Sequence, residues 1–307
     1  MTGVLLCYDG SESSSGAITV AGALLSPRDA LVCHAWSGLS RTMLHAEPSE
    51  LPGALADAAE RLDAVDREAA EALAAGGVAV ARESGFEAEP LLVRSGRKDW
   101  RALLEAADEH HAAVIVAGAH GVSGIGRALL GSVSTALVHH ARRPVLIVPS
   151  MAKDEPRDGP LLLCSDGSDC AAEAIAAAGE LMSERRSVAL SVWESWASEA
   201  PALAGVSSTV QGMAAELDAI AAEQSRATAG AGVRAATEAG FEAKPASSRA
   251  DGPAWKGILD AADDQRAAAI VVGSRGLTGI SRALGSVSNG VVHHSRRPVL
   301  VVPGRPA

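Results

Sequence analysis

VIVAGAHGVSGIGRALLGSVSTALVHHARRPVLIVP, residues 114–149, returns almost intact between Ile270 and Pro303. The apolar run Val114 to Ala117 ends at Gly118 and a glycine-rich loop follows. Gly131-Ser132 then opens a segment in which Val133, Leu137 and Val138 recur at helical spacing, and a second apolar run closes at Pro149. Short, nearly continuous β-branched runs mark buried parallel strands. The stretch therefore predicts a strand, loop, helix, strand unit, with the loop joining the carboxyl end of a strand to a helix N-terminus. The first N–H groups of a helix lack intrahelical partners and its dipole is positive there, which favours an anion. Glycines let the main chain approach phosphate oxygens and turn through positive φ. The loop reads as a phosphate cradle.

The spacing narrows which cradle it is. A Walker A loop needs Gly-Lys-Ser/Thr, whereas Gly131-Ser132 is followed by Val133-Ser134. A dinucleotide fingerprint needs Gly-x-Gly-x-x-Gly, and Gly124-Ile125-Gly126 runs on into Leu129 instead. What remains is Gly118-x-x-Gly121, nine residues, then Gly131-Ser132. This resembles the ATP-binding motif of the universal stress protein family. The resemblance covers nearly the whole chain twice over, since each half opens with a similar first strand, Val4-Leu5-Leu6-Cys7-Tyr8-Asp9-Gly10-Ser11 and Leu161-Leu162-Leu163-Cys164-Ser165-Asp166-Gly167-Ser168.

The resemblance implies an α/β fold of two tandem domains. Each would be a five-stranded parallel sheet with helices on both faces, Rossmann-like and of the adenine nucleotide alpha hydrolase-like type. The expected divisions are residues 1–150, a polar linker over 151–160, and residues 161–307. ATP, with Mg2+, would sit at the carboxyl ends of strands one and four, where ligands of open α/β sheets gather at the topological switch point. In the first half, Asp9 would accept hydrogen bonds from ribose hydroxyls, a task for an acceptor-only carboxylate; its alternative is a cap on the first helix. Ala35, at the end of strand two, would contact adenine through its main chain. Gly118, Gly121, Gly131, Ser132 and Val133 would offer backbone N–H groups, and the hydroxyls of Ser132 and Ser134 would donate to phosphate. The matching set in the second half is Asp166, Val192, Gly273, Gly276, Gly285, Ser286, Val287 and Ser288.

The halves differ in one place. Gly121 and Gly276 are 155 positions apart but Gly131 and Gly285 only 154, so the nine-residue spacing becomes eight. If the shorter loop displaces the donors of the second site, the first domain binds ATP more tightly. His120, in the first loop, is replaced by Arg275 in the second.

Other features read more plainly. A chain of 307 residues, 48% hydrophobic and 21% charged, fits two globular domains. Its net charge of −10 and 3% aromatic content argue against a nucleic-acid surface. No apolar run is long enough to span a membrane, and the N-terminus lacks the form of a signal peptide, so a cytoplasmic protein is expected. Cys7, Cys33, Cys164 and Cys170 have no metal spacing and read as small reduced residues. Leu55, Ala58, Leu62, Val65, Ala69 and Leu73 predict the apolar face of a helix. Trp100 and Trp255 read as core, while Trp36 and Trp193 border the base pocket or plug a sheet edge or a domain interface. His139-His140 and His293-His294, each followed by two arginines, read as cationic helix C-termini rather than metal ligands. The valine-rich last strands, Val145 to Val148 and Val299 to Val302, suggest halves paired as an internal pseudo-dimer, with a homodimer as a further assembly.

Three function classes follow: an ATP-binding regulatory protein of the stress response, a nucleotide-free interaction module, and an enzyme such as an ATP pyrophosphatase of related fold. The intact first motif favours the first. An enzyme of the third kind would want Ser-Gly-Gly-x-Asp-Ser after strand one, and Asp9-Gly10-Ser11 places the glycine and acid differently. No catalytic residue is assigned, and slow ATP hydrolysis stays open.

Overall fold

The strands that open and close each half carry almost no polar side chains, and the fold hides them completely. In the computed structural model, Leu5, Leu6, Ile115, Leu146, Leu162, Leu163, Ile270 and Leu300 are all fully buried, each burial stabilising by roughly 1.5–3 kcal/mol. The structure describes the chain apart from residues 1–2, 27, 45–46, 97, 122–129, 155–157, 183–185, 197–207, 277–283 and 305–307.

The chain divides into two compact units, the change between them falling at Lys153 and Asp154. The first contains β1 (Val4–Cys7), α1 (Glu12–Leu24), β2 (Asp29–Trp36), α2 (Leu39–Leu44), α3 (Gly53–Glu83), β3 (Glu87–Arg94), α4 (Asp99–Glu109), β4 (Val114–Gly118), α5 (Ser132–His140) and β5 (Val145–Val148). The second repeats this order as β6 (Leu161–Cys164), α6 (Asp169–Leu181), β7 (Arg186–Glu194), α7 (Ser208–Glu238), β8 (Glu242–Ala250), α8 (Ala254–Asp264), β9 (Ala269–Gly273), α9 (Ser286–His294) and β10 (Val299–Val302). Ser150–Asp154, where the expected linker begins, forms a 3-10 turn with Ala152 buried. No described helix is long and apolar enough to cross a membrane.

Within the first unit the strands run parallel in the order β3-β2-β1-β4-β5, and within the second β8-β7-β6-β9-β10. Leu6 stands opposite Val32 on one side and Val116 on the other; Leu163 stands between Ala189 and Val271 in the same way. The chain builds outward from the first strand of each unit in one direction, then returns to its other side. Right-handed crossovers consequently place α1 and α3 on one face and α4 and α5 on the other. The reversal opens a crevice between the carboxyl ends of β1 and β4, and between those of β6 and β9.

One packing expectation is wrong. The face of α3 turned to the sheet is Ala59, Asp63, Ala70, Ala74, Gly77, Val78 and Ala81, whereas Leu55 and Val65 are more than half exposed. Small residues win because the helix lies close: a Cβ on Gly77 would stand 2.6 Å from the Tyr8 ring. Asp63 is tolerated there because it accepts from the Ser40 N–H at 2.8 Å and pairs with Arg94 at 2.6 Å.

Candidate functional site

Both units end their first strand in the same turn. The Asp9 Oδ1 accepts from the Ser11 N–H at 3.0 Å and from the Ser11 hydroxyl at 2.6 Å, while Ser11 Oγ, as N-cap of α1, accepts from the Ser14 N–H at 3.1 Å. In the second unit Asp166 Oδ1 accepts from the Ser168 N–H at 2.9 Å, and Ser168 caps α6 through the Ala171 N–H at 3.2 Å. The cap is therefore the serine, and the carboxylate is held by the turn that leads into it. Gly10 and Gly167 connect acid to cap with φ of +80° and +82°, a left-handed conformation that costs glycine nothing.

Across the crevice, β4 ends at Gly118, which admits the first turn of α1 so closely that a Cβ would meet the Ser13 Oγ at 2.5 Å. Gly273 admits α6 likewise, 2.9 Å from the carbonyl oxygen and Sγ of Cys170. Three residues on, a Cβ on Gly121 would stand 2.9 Å from Asp9 Oδ2, and one on Gly276 2.7 Å from Asp166 Oδ2. Loop and carboxylate thus meet without a side chain between them.

The loop's far end corrects two expectations. Gly131 has φ −63° and ψ 157°, and Gly285 φ −63° and ψ 153°, so neither glycine serves a positive φ. Gly285 makes only ordinary contact, a Cβ there lying 3.5 Å from the Ser274 carbonyl oxygen, whereas Gly131 provides closeness, a Cβ there lying 3.2 Å from the Ala119 carbonyl oxygen. The Gly131 N–H donates to that carbonyl at 2.7 Å, and the Gly285 N–H to the Ser274 carbonyl at 2.7 Å. These bonds pin the loop shut at its base. The Ser134 hydroxyl, expected to face phosphate, is buried and donates to the Gly118 carbonyl at 2.7 Å; Ser288 does the same to Gly273 at 2.6 Å. The donors left for an anion belong to the first turn. No side chain caps α5 or α9, and N–H groups at Ser132, Val133 and Ser134, or at Ser286, Val287 and Ser288, precede the first intrahelical bond.

The shortened second loop leaves this frame intact. Base bond, N-cap geometry and serine tie agree between the units, so the expected displacement of the second set of donors is absent. Residues 122–129 and 277–283, with Arg127 and Arg282, lie outside the described residues.

In the second unit these parts enclose a cavity of about 320 Å3, at the lower end of the roughly 300–1,000 Å3 usual for small-molecule sites. Asp166, Val192, Gly273, Gly276, Gly285, Ser286, Val287 and Ser288 all line it. So do Leu190, Ala254, Ile258 and Val272, which supply an apolar wall, and Arg275. A larger cavity, about 720 Å3, lies at the opposite, amino ends of β1, β2 and β3 beside Asp29, Arg82 and Glu87; it has neither the glycine loop nor the helix N-terminus.

The universal stress protein family model matches residues 1–149 and again 159–303. The chain belongs to the universal stress protein family. Universal stress protein Rv2005c of Mycobacterium tuberculosis is 34% identical over 201 residues, and Mb2028c of Mycobacterium bovis matches equally; the chain spans 62% of the length of these relatives, and the match covers 62% of this chain. Among solved structures, a universal stress protein from Archaeoglobus fulgidus is 20% identical, with a TM-score of 0.63 over 98% of both chains. A functionally unknown protein from Pseudomonas aeruginosa PAO1 is 14% identical, with a TM-score of 0.52 over 99% of this chain and 92% of its own. These two show a shared fold.

Within this universal stress protein, the first unit brings Asp9, Gly118, Gly121 and Gly131 together as the second does their counterparts. Ala35 lies in β2 opposite Val93. Sequence reasoning left out Leu190, Ala254, Ile258 and Val272. Ala254 and Ile258 are one helical turn apart, which predicts a shared face but not what it faces. The tryptophans also moved. Trp100 and Trp255 are only half-buried and stack on His140 and His294, with ring centroids 4.7 and 4.5 Å apart, joining α4 to α5 and α8 to α9. Trp36 packs at the β2–β3 edge beneath Arg94, 5.4 Å from its ring. Among the described residues no group of three or more His, Cys, Asp or Glu could hold a metal ion, and no disulfide joins the four cysteines. Burial pushes the Cys33 thiol up to about 12 and, with Asp166 adding to it, that of Cys164 to about 12.

Proposed function

We propose that this universal stress protein binds ATP in each unit and acts in the cytoplasm as a regulatory component of the stress response, its nucleotide occupancy being the signal. The observation that carries the reading is the cavity of the second unit, whose walls are the residues the motif singled out. Adenine fits the apolar wall at Val192 and Ile258, the ribose hydroxyls fall to the Asp166 carboxylate, and the phosphates fall to the uncapped N-terminus of α9. Magnesium would arrive with the phosphates, whose oxygens suit a hard cation that keeps several waters.

Binding rather than turnover suits this set. Arg275 supplies charge, but neither lysine nor histidine, which could serve as a base, is among the described residues lining the cavity, and its carboxylate is already tied to the Ser168 N–H. Efficient phosphoryl transfer needs placed charge and a positioned base. Calorimetry with millimolar ATP and magnesium, beside mass spectrometry of nucleotide released from the denatured purified protein, tests the reading. Saturable heat and a co-purified adenine nucleotide are expected. No heat and no thermal shift would instead favour a nucleotide-free interaction module.

A further inference from the structure

The two sites share their frame but not the residue between the paired glycines, which is His120 in one and Arg275 in the other. Arg275 lines the cavity of the second unit. Its Cα lies 3.8 Å from where a Cβ on Gly285, the N-cap of α9, would stand. Its guanidinium rests over Gly304, where a Cβ would be 2.7 Å from Nη2. Glycine at 304 is what leaves the space. The equivalent position in the first unit is Ser150, whose hydroxyl lies 3.4 Å from that of Ser13, and the His120 Nε2 is buried and without a hydrogen-bond partner. At these two positions the second unit carries arginine and glycine, and the first carries histidine and serine.

We infer that Arg275 makes the second site the one that reads phosphate charge, so that it prefers ATP over the uncharged nucleoside more strongly than the first site does. The inference rests on the nucleotide reading given above. An arginine stays protonated at every physiological pH and offers a fork of donors that fits phosphate oxygens. Carried on a residue whose Cα lies beside the α9 N-terminus and which lines the same cavity, the guanidinium adds a full charge to a partial one. Arg127 and Arg282 are common to both loops and do not separate the units. This ranking reverses the one that loop length alone suggests, because the shorter loop leaves the donors in place while the substitution adds a cation.

Calorimetry of the full chain with ATP and with adenosine tests it. The parent should show two unequal ATP-binding steps. Arg275→Gln should weaken the tighter one about tenfold, the usual loss for a bond to a charged group, while adenosine binding stays unchanged and the salt dependence of ATP binding becomes shallower. Transplanting the pair, His120→Arg with Ser150→Gly, should raise the ATP preference of the first site. An unchanged ATP-to-adenosine ratio in Arg275→Gln overturns the inference while leaving the nucleotide site standing, and so does an equal loss of both ligands. A parent that binds neither ligand removes the nucleotide reading and this inference with it.

Discussion

The hydroxyl of Ser288 lies 2.6 Å from the carbonyl oxygen of Gly273 and donates to it, fastening the first turn of α9 to the end of β9. Ser134 and Gly118 repeat the bond at 2.7 Å. Each serine is buried, so the tie works out of reach of water and sets where the helix N-terminus points. Ser288→Ala removes one buried bond and leaves the carbonyl without it, a loss of about 1–2 kcal/mol. Urea unfolding should show that loss, with ATP affinity in the second unit falling as well. A variant with parental stability would mean that the carbonyl finds another donor.

Gly131→Val should keep the fold and lose ATP in the first unit. The backbone at this position is extended, so valine adopts it without strain. Its Cβ, however, lies 3.2 Å from the Ala119 carbonyl oxygen, and the branched methyls then stand over the helix N-terminus. A circular-dichroism melt close to that of the parent, together with loss of about half the bound ATP in calorimetry, is the expected pair of results. Parental stoichiometry would show that phosphate lies elsewhere.

Gly167→Ala acts through the backbone instead. Its φ of +82° costs an L-residue roughly 1 kcal/mol or more, and the strain falls on the turn that holds Asp166. A lowered melting temperature should accompany weaker binding in the second unit. Asp166→Asn, which keeps an acceptor oxygen for the Ser168 N–H, should spare stability and still weaken ATP, because a neutral amide accepts ribose hydrogen bonds less strongly. Equal ATP affinity in Asp166→Asn would remove the ribose role.

Cys33 sets a pH dependence of stability. Burial lifts its thiol from 9.0 to about 12, so the folded protein keeps a proton that the unfolded chain gives up. The contribution is complete below about pH 9 and is lost as pH rises towards 12. Urea midpoints between pH 8 and pH 11 should fall less steeply for Cys33→Ala than for the parent, and identical slopes would contradict the assignment.

The main outline was legible because it rests on strong local patterns. Val114 to Gly118 and Val145 to Val148 have too few polar residues to be anything but buried strands, and Ser11 has the side chain that an N-cap requires. What stayed hidden depends on direction and distance. A serine in a first helical turn can point outward to a ligand or inward to a strand, and only the packed neighbour decides that Ser134 turns to Gly118. Glycine in a loop means either positive φ or close approach; Gly10 is the first kind and Gly131 the second, with nothing in the letters to separate them. On α3 the larger residues suggested the buried face, but the sheet lies too near for leucine, so the alanines face inward.

The closeness of Asp166 to Gly276, and of Asp9 to Gly121, gives each crevice a negative pole a short distance from the positive end of a helix. A molecule entering there meets a gradient as well as a shape. Compact anions, whose charge cannot be held away from the carboxylate, are repelled by one pole as they approach the other. Elongated molecules with neutral hydroxyls at one end and charge at the other satisfy both, and only in one orientation. On the nucleotide reading proposed above, such a site would select for how charge is distributed along a ligand and fix which way round it enters.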